Sequence, residues 1–288
     1  MENKKHIFVT GITGNQGSAV TRHLLDSGHK VIGLTRDVNS EKVQNWKNQG
    51  VNILEGNLND SSTYQSEMNK SDAIYFVQSL QSKNSEIQQG KQFIDTVISN
   101  GINHLVYSSV LGADLNTGIP HFDSKYEIEK HIRSSNINYT ILRPASFYEN
   151  YLLPQVANRI KKGKFVSPLS KTCKQQMIGV DDIGKIAAQV ISNPKKYSSK
   201  TLSIATDENQ IGNVPQLFSE AINKPVKYKK LPGFIVRLAM GNDLHKMFKY
   251  MNQNDFCVIN NVQDVRDEFS INGDFKNWVN QNFTPKNH

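Results

Sequence analysis

The chain is short of several things, and each shortage removes a class of protein. It has only two cysteines in 288 residues, Cys173 and Cys257. They lack the close spacing of a zinc-binding thiolate set, and they are too few for a disulfide scaffold. One disulfide is compatible with the sequence, although two free thiols in a reducing compartment fit better. No apolar run approaches the roughly 18–20 residues of a membrane span. There is no Gly-x-Ser-x-Gly elbow and no Walker phosphate loop, which removes the serine hydrolases of that type and the P-loop nucleotidases. His6, His23, His29, His104, His131 and His245 show no paired spacing with carboxylates or cysteines, so no metal is expected. Acidic residues are outnumbered, 26 against 34 basic, for a net charge of +8. The surplus is dispersed in short pairs such as Lys161-Lys162, Lys195-Lys196 and Lys229-Lys230. With no helix-turn-helix and no clustered basic face, direct nucleic-acid binding is not expected. The charged first residues run straight into an apolar strand, so no leader is expected. The cytoplasm is the expected compartment, and a membrane is not an expected partner.

What is present is regular. Short apolar runs alternate with helical patterns through the first half. Strands are predicted at His6–Thr10, Lys30–Thr35, Val51–Leu54, Ala73–Val77, His104–Ser108 and Tyr139–Arg143. Helices are predicted at Asn15–Ser27, Ser40–Gln49, Ser61–Met68, Ile87–Asn100 and Ser124–Ser135. Buried strands separated by single helices pair in parallel through right-handed crossovers, giving an α/β fold of the doubly wound Rossmann type. After Pro144 the regularity fades. Asp181-Asp182 can cap a helix through Val190 that Pro194 ends, and Thr201–Ala205 reads as one more strand. Leu244, Met247, Phe248 and Met251 recur at helical spacing, the ordinary signature of a core-facing helix. The expected division is a nucleotide-binding domain over residues 1–150, completed by later segments. A smaller α+β substrate lobe over 151–288 would pack on the C-terminal edges of the sheet.

Where the first strand meets the first helix stands Gly11-Ile-Thr-Gly14-Asn-Gln-Gly17. In such a turn the first glycine permits the bend and the second lets a phosphate approach the backbone. The third lets helix and strand pack closely. The unpaired amides and the dipole of the helix N-terminus favour an anion there, so a dinucleotide pyrophosphate is expected. The second strand ends Thr35-Arg36-Asp37. An acid at this point takes the ribose hydroxyls of NAD, whereas a guanidinium accommodates the extra phosphate of NADP. Side chains alternate along a strand, so only one of Arg36 and Asp37 should face the ribose. Arg36, with Lys42 adding charge from the next helix, favours NADP(H).

With the glycine triplet, Arg36, His121-Phe-Asp-Ser-Lys125 and Pro144-Ala-Ser-Phe-Tyr-Glu-Asn150 in order, the chain resembles the NmrA-like family, an atypical branch of the short-chain dehydrogenase/reductases. The resemblance covers about residues 5–250. It implies an NADP-binding Rossmann domain with a small C-terminal lobe. It also assigns roles. Gly11, Thr13, Gly14, Asn15, Gln16 and Gly17 form the pyrophosphate loop, and Arg36 meets the 2′-phosphate. Asn57 and Leu58 lie near the adenine, where relatives often carry an acid. Gln78 and Ser79 border the nicotinamide ribose, Lys125 sits near the nicotinamide, and Phe147, Tyr148 and Asn150 cover it and open toward substrate.

The wider superfamily carries Tyr-x-x-x-Lys, in which the tyrosine moves the proton. Here that spacing reads His121-x-x-x-Lys125. His121, or a water, is therefore the candidate proton donor beside Lys125, or else His121 only shapes the pocket and Lys125 only binds ribose. Ser108 and Ser109 end the fifth strand, where the superfamily often polarises a carbonyl. Strand-end capping explains them equally well. Two functions remain open. One is an NADPH-dependent oxidoreductase acting on a small quinone, carbonyl or enone, with Phe147, Tyr148 and Tyr151 as an apolar wall. The other is a non-catalytic NADP(H) redox sensor that regulates a protein partner. Either is expected as a monomer or a homodimer.

Overall fold

The computed structural model describes residues 4–285, which form two compact units. The first takes the chain through Leu115, then Pro120–Arg143 and Val180–Leu202; the second takes Asn116–Ile119, Pro144–Gly179 and the chain from Ser203 onward.

The first unit is built on β1 (His6–Val9), β2 (Lys30–Thr35), β3 (Asn52–Glu55), β4 (Ala73–Phe76), β5 (Leu105–Ser108) and β6 (Tyr139–Pro144). Between them run α1 (Asn15–Asp26), α2 (Glu41–Asn48), α3 (Gln65–Met68), α4 (Lys83–Ser99) and α5 (Pro120–Ser134). The sheet order is β3-β2-β1-β4-β5-β6, with the strand Lys200–Ile204 added beyond β6. β1 pairs in parallel with both β2 and β4. The chain therefore leaves β1 toward one edge and returns through β4 on its other side. That reversal opens a crevice at the carboxyl ends of β1 and β4, the position where doubly wound sheets take ligands. Thr10 fixes its floor: the Thr10 hydroxyl donates to the Val77 carbonyl at 2.8 Å and accepts the Val77 N–H at 2.9 Å.

The central strands are largely buried because helices cover both faces, whereas the edge strand β3 is only half-buried. On one face Phe8, Tyr64, Phe76, Phe93 and Tyr107 form the centre of the core, with the Phe76 and Phe93 rings stacked at 4.3 Å. There α4 and α5 run side by side, tied at successive levels by Lys83–Asp123, Glu86–Lys125 and Asp95–His131. They approach closely because residue 90 is glycine: a Cβ there would lie 2.6 Å from Ile128 Cδ1. On the other face α1 packs against the helix Val180–Ser192, where a Cβ on Gly184 would lie 2.7 Å from the Ala19 backbone.

The second unit has a three-stranded sheet, in which Lys174–Ile178 pairs antiparallel with Asp207–Gln210 and parallel with Ser146–Phe147. A two-stranded parallel sheet joins Lys164–Ser167 to Lys227–Lys230. Its core is aromatic. Phe218 meets Phe283 at 4.8 Å and Tyr151 at 5.3 Å, and Phe275 meets Tyr148 at 5.1 Å. In the helix Gly233–Asn254, Met251 is buried, and Leu244, Met247 and Phe248 are half-buried on the same face, as the spacing predicts. Cys173 and Cys257 are both free thiols.

Candidate functional site

The glycine turn shows why its residues are what they are. Gly11 has φ +61°, a conformation other residues enter at a cost, and its carbonyl accepts the Gly14 N–H at 2.9 Å. A Cβ on Gly17 would lie 2.2 Å from the Gly11 carbonyl oxygen, so helix and turn could not both keep their places. Gly14 differs. It is exposed, and a Cβ there would meet only the Gly11 oxygen, at 3.2 Å. As the N-cap of α1 it brings no side chain to the helix's first amides, and the first turn carries no acid. Those donors are left for something outside the chain.

The side chains around the turn divide into committed and uncommitted. Gln16 is committed: its Oε1 accepts from the Tyr75 hydroxyl at 2.9 Å and the Ser108 hydroxyl at 2.7 Å. Asn15 is exposed, and Thr13 is half-buried. Lys42 on α2 reaches across to donate to the Thr13 carbonyl at 3.2 Å, which brings its ammonium to the turn. Asp37 is held in a local turn, its carboxylate accepting the Asn39 N–H at 2.9 Å. Arg36 is exposed and, among the described residues, makes no hydrogen bond or ion pair.

After β3, Asn57 uses its side-chain oxygen to accept the Asn59 N–H at 3.1 Å, which leaves its amide N–H groups at an exposed position. Leu58 packs on the core from the edge. After β4, Gln78 is buried. It donates to the Glu86 carbonyl and to Gln89 Oε1, both at 3.1 Å, while its own Oε1 has no hydrogen-bond partner among the described residues. Gln89 in turn donates to Asn59 at 2.8 Å, so the loops after β3 and β4 are linked through α4. Ser79 is exposed.

His121 and Lys125 both lie in the first turns of α5, four residues apart and hence on one face. The His121 ring stands edge-on to Phe122 at 4.8 Å. Lys125 is 12 % exposed, and its Nζ lies 2.8 Å from Glu86 Oε1, whose side chain is wholly buried. The other Glu86 oxygen accepts from the Ser124 hydroxyl, and the ammonium lies 5.5 Å from the centre of the Tyr107 ring. Glu86 thus fixes the lysine, a role that sequence reasoning missed. The two residues are far apart in the chain, and the only available signal was an acid in the first turn of a helix, which reads as ordinary dipole compensation.

The other hydroxyls at the strand ends are engaged or buried. Ser108 is committed to Gln16. Ser109 donates to Glu129 at 2.5 Å, and Glu129, itself wholly buried, also takes Arg143 at 2.9 and 2.6 Å and Arg133 at 2.7 Å. Burial first, then the charges of Glu86 and Glu129, push the Tyr107 phenol well above its ordinary pKa. Burial does the same to Tyr75.

In the second unit the expected aromatic wall changes. Tyr148 is 2 % exposed, its hydroxyl bonds Thr206 and Asp207, and its ring packs on Phe275 and Trp278. Tyr151 sits among Phe165, Phe218 and Phe275. Tyr148 is buried and Tyr151 half-buried, and both pack within the aromatic core of their own unit. Phe147 is half-buried and Asn150 exposed. Among the described residues no group of three His, Cys, Asp or Glu side chains could hold a metal ion.

Comparisons with known proteins agree with this architecture. A sequence model of the NmrA-like family matches residues 3–271. An NmrA-like family domain-containing protein of Dictyostelium discoideum is 30 % identical over 247 residues, covering 78 % of this chain and 80 % of its own. An NADPH-dependent quinone oxidoreductase from Escherichia coli, solved with NADPH, superposes with a TM-score of 0.83 at 20 % identity, covering 96 % of this chain and all (100 %) of its own. NmrA, a negative transcriptional regulator solved with NADP, superposes at 0.80 and 17 % identity, covering 97 % and 95 % of the two chains.

Proposed function

The chain belongs to the NmrA-like family, and from that premise we propose that it binds NADP(H) at the Gly11–Gly17 turn and reduces a small quinone, carbonyl or enone. The observation that carries the reading is the pairing of an uncapped α1 N-terminus with an uncommitted guanidinium at the end of β2. The amides after Gly14 donate to the pyrophosphate. Arg36 takes the 2′-phosphate bidentately, with Lys42 adding charge, while Asp37 is held away in its own turn. The amide of Asn57 meets the adenine beside Leu58. Ser79, with the unpartnered Oε1 of Gln78, borders the nicotinamide ribose. The proteins that supply these expectations are described as binding NADPH or NADP.

A bound reduced nicotinamide supplies a hydride. The protein's share is position and one proton. Lys125, held by Glu86, is a fixed cation whose remaining N–H groups hold ribose hydroxyls. His121 delivers the proton that, with the hydride, completes reduction of a quinone to its hydroquinone. Phe147 and Asn150 face the acceptor.

A sensor is the second reading. It is favoured by histidine standing where the superfamily has tyrosine, and by Tyr75 and Tyr107 both being buried with raised pKa values. The test is NADPH oxidation against a panel of quinones and enones, with Lys125→Ala and His121→Ala beside the wild type. Turnover lost in the variants supports the reductase. Tight NADPH binding without turnover on any acceptor replaces it with the sensor.

A further inference from the structure

Most large apolar side chains of the described residues are buried, but four exposed ones fall within seven residues. They are Phe234 (73 % exposed), Ile235 (37 %), Leu238 (91 %) and Met240 (42 %), at the start of the helix Gly233–Asn254. At about 100° per residue, Phe234, Ile235 and Leu238 share one side, Arg237 lies off its edge next to Phe234, and Val236 points the opposite way. Val236 is 1 % exposed. The segment is therefore inverted: its apolar face looks into water, whereas a surface helix normally turns that face inward. It is also set apart. Pro232 caps its start, and at Gly241 the backbone leaves the helix with φ 86° and ψ 169°.

The charge around it is of one sign. Between Glu220 and Asp243 stand Lys224, Lys227, Lys229, Lys230 and Arg237, and no acid. Lys230 is engaged by the Pro168 carbonyl at 2.8 Å and by Asn252 at 3.2 Å. Lys227 and Lys229 lie on one side of their strand and are exposed, with Tyr228 between them turned inward to donate to Leu169. Arg237 is exposed on the helix itself.

Outward apolar side chains flanked by cations, with no acid between Glu220 and Asp243, are the composition of a segment that lies in a membrane interface. We propose that Gly233–Met240 docks this protein on an anionic lipid surface. Phe234, Ile235 and Leu238 enter the boundary of the acyl chains, and Lys227, Lys229 and Arg237 meet the headgroups. A second copy fits this face less well, because a two-fold contact would set the same cations against each other. No helix among the described residues is long and apolar enough to cross a membrane, and the attachment needs none. It also does not depend on the reductase reading.

The test is flotation of the full chain with vesicles, either phosphatidylcholine alone or phosphatidylcholine mixed with phosphatidylglycerol. The protein should float with the mixed vesicles, roughly ten-fold less with phosphatidylcholine alone, and be released by high salt. Phe234→Ser/Leu238→Ser should abolish flotation while its thermal melt stays that of the wild type. Lys227→Glu/Lys229→Glu should abolish the preference for the anionic lipid. No flotation, or equal flotation with both vesicles, overturns the proposal. So does a wild-type dimer in light scattering that Phe234→Ser/Leu238→Ser converts to monomer, since the face then belongs to a second copy.

Discussion

Two regions of the first unit use polar groups in opposite ways. At the Gly11–Gly17 turn, the cap brings no side chain, Gly14 is open, and Arg36 points at solvent without a partner. Beneath α4 and α5, two wholly buried carboxylates are paired: Glu86 with Lys125 and Ser124, Glu129 with Arg143, Arg133 and Ser109. A buried ion pair contributes little net stability, but removing one partner strands the other. Unpaired donors at the surface cost little and remain available to bind. The difference teaches where to look for each property. The buried carboxylates hold side chains in position and are costly to break, and the open turn is where the proposed affinity would arise.

The contrast can be broken from either side. Glu129→Ala has the largest expected effect. It leaves buried Arg143 with only Asp114 as a charge partner and should cost up to about 3–5 kcal/mol, a loss visible in thermal or urea unfolding. NADPH affinity of the molecules still folded should change little. If unfolding is unaffected, the buried carboxylates are not what holds α5 in place.

Next is acid. His104, 2 % exposed, is held down to about 4 from the ordinary 6.5, by burial first and the charge of Lys5 second. It lies just ahead of β5, at the end of the sheet opposite the glycine turn. The unfolded chain takes up a proton below about 6.5 that the folded chain refuses until about 4. Stability is therefore undiminished above 6.5 and falls as pH drops through that window, by on the order of 3 kcal/mol. His104→Asn should flatten urea-unfolding stability between those pH values. A profile identical to wild type would contradict the assignment.

Arg36→Asp should do the reverse of Glu129→Ala. It should weaken NADPH by ten-fold or more, the equivalent of about 1.5–3 kcal/mol for a charged hydrogen-bonded pair, with NADH less affected and melting unchanged. Equal weakening of both nucleotides would show that Arg36 does not read the extra phosphate.

The smallest effect belongs to Asp181, which joins the helix Val180–Ser192 to α1. The hydrogen bond from His23 chiefly, with Arg22 beside it, lowers this carboxylate from 3.8 to about 2. Its contribution is present above 3.8 and lost as pH falls toward 2. Because the side chain is mostly exposed, Asp181→Asn should shift acid unfolding only slightly.

Much of the fold was legible because each of β1–β6 is a short, mostly apolar run bounded by a glycine, proline or polar turn, and parallel pairing follows from the crossovers. Helix starts were less so. α4 begins at Lys83 rather than Ile87, since its first turn is polar and Ser82 caps it by accepting the Ser85 N–H. α5 begins at Pro120 rather than Ser124, with proline in the first turn, where it is tolerated. Pro194 ends one helix but also opens the short helix Pro194–Tyr197. At the candidate site, the glycine roles could be read because backbone geometry leaves few residues able to stand there. Glu86 could not, because its role exists only once α4 and α5 lie together. Tyr148 and Tyr151 were hard to read for the opposite reason: an aromatic after a strand fits a pocket lining and a lobe core equally, and only packing decides.

The central claim is that the open turn, completed by Arg36, is a dinucleotide site that prefers the extra phosphate. Calorimetric titration of the full chain with NADPH and NADH tests it most directly. The account predicts saturable heat with NADPH, at least ten-fold tighter than with NADH, and a preference that disappears in Arg36→Asp. Absence of heat with either nucleotide, or a preference for NADH, would contradict it.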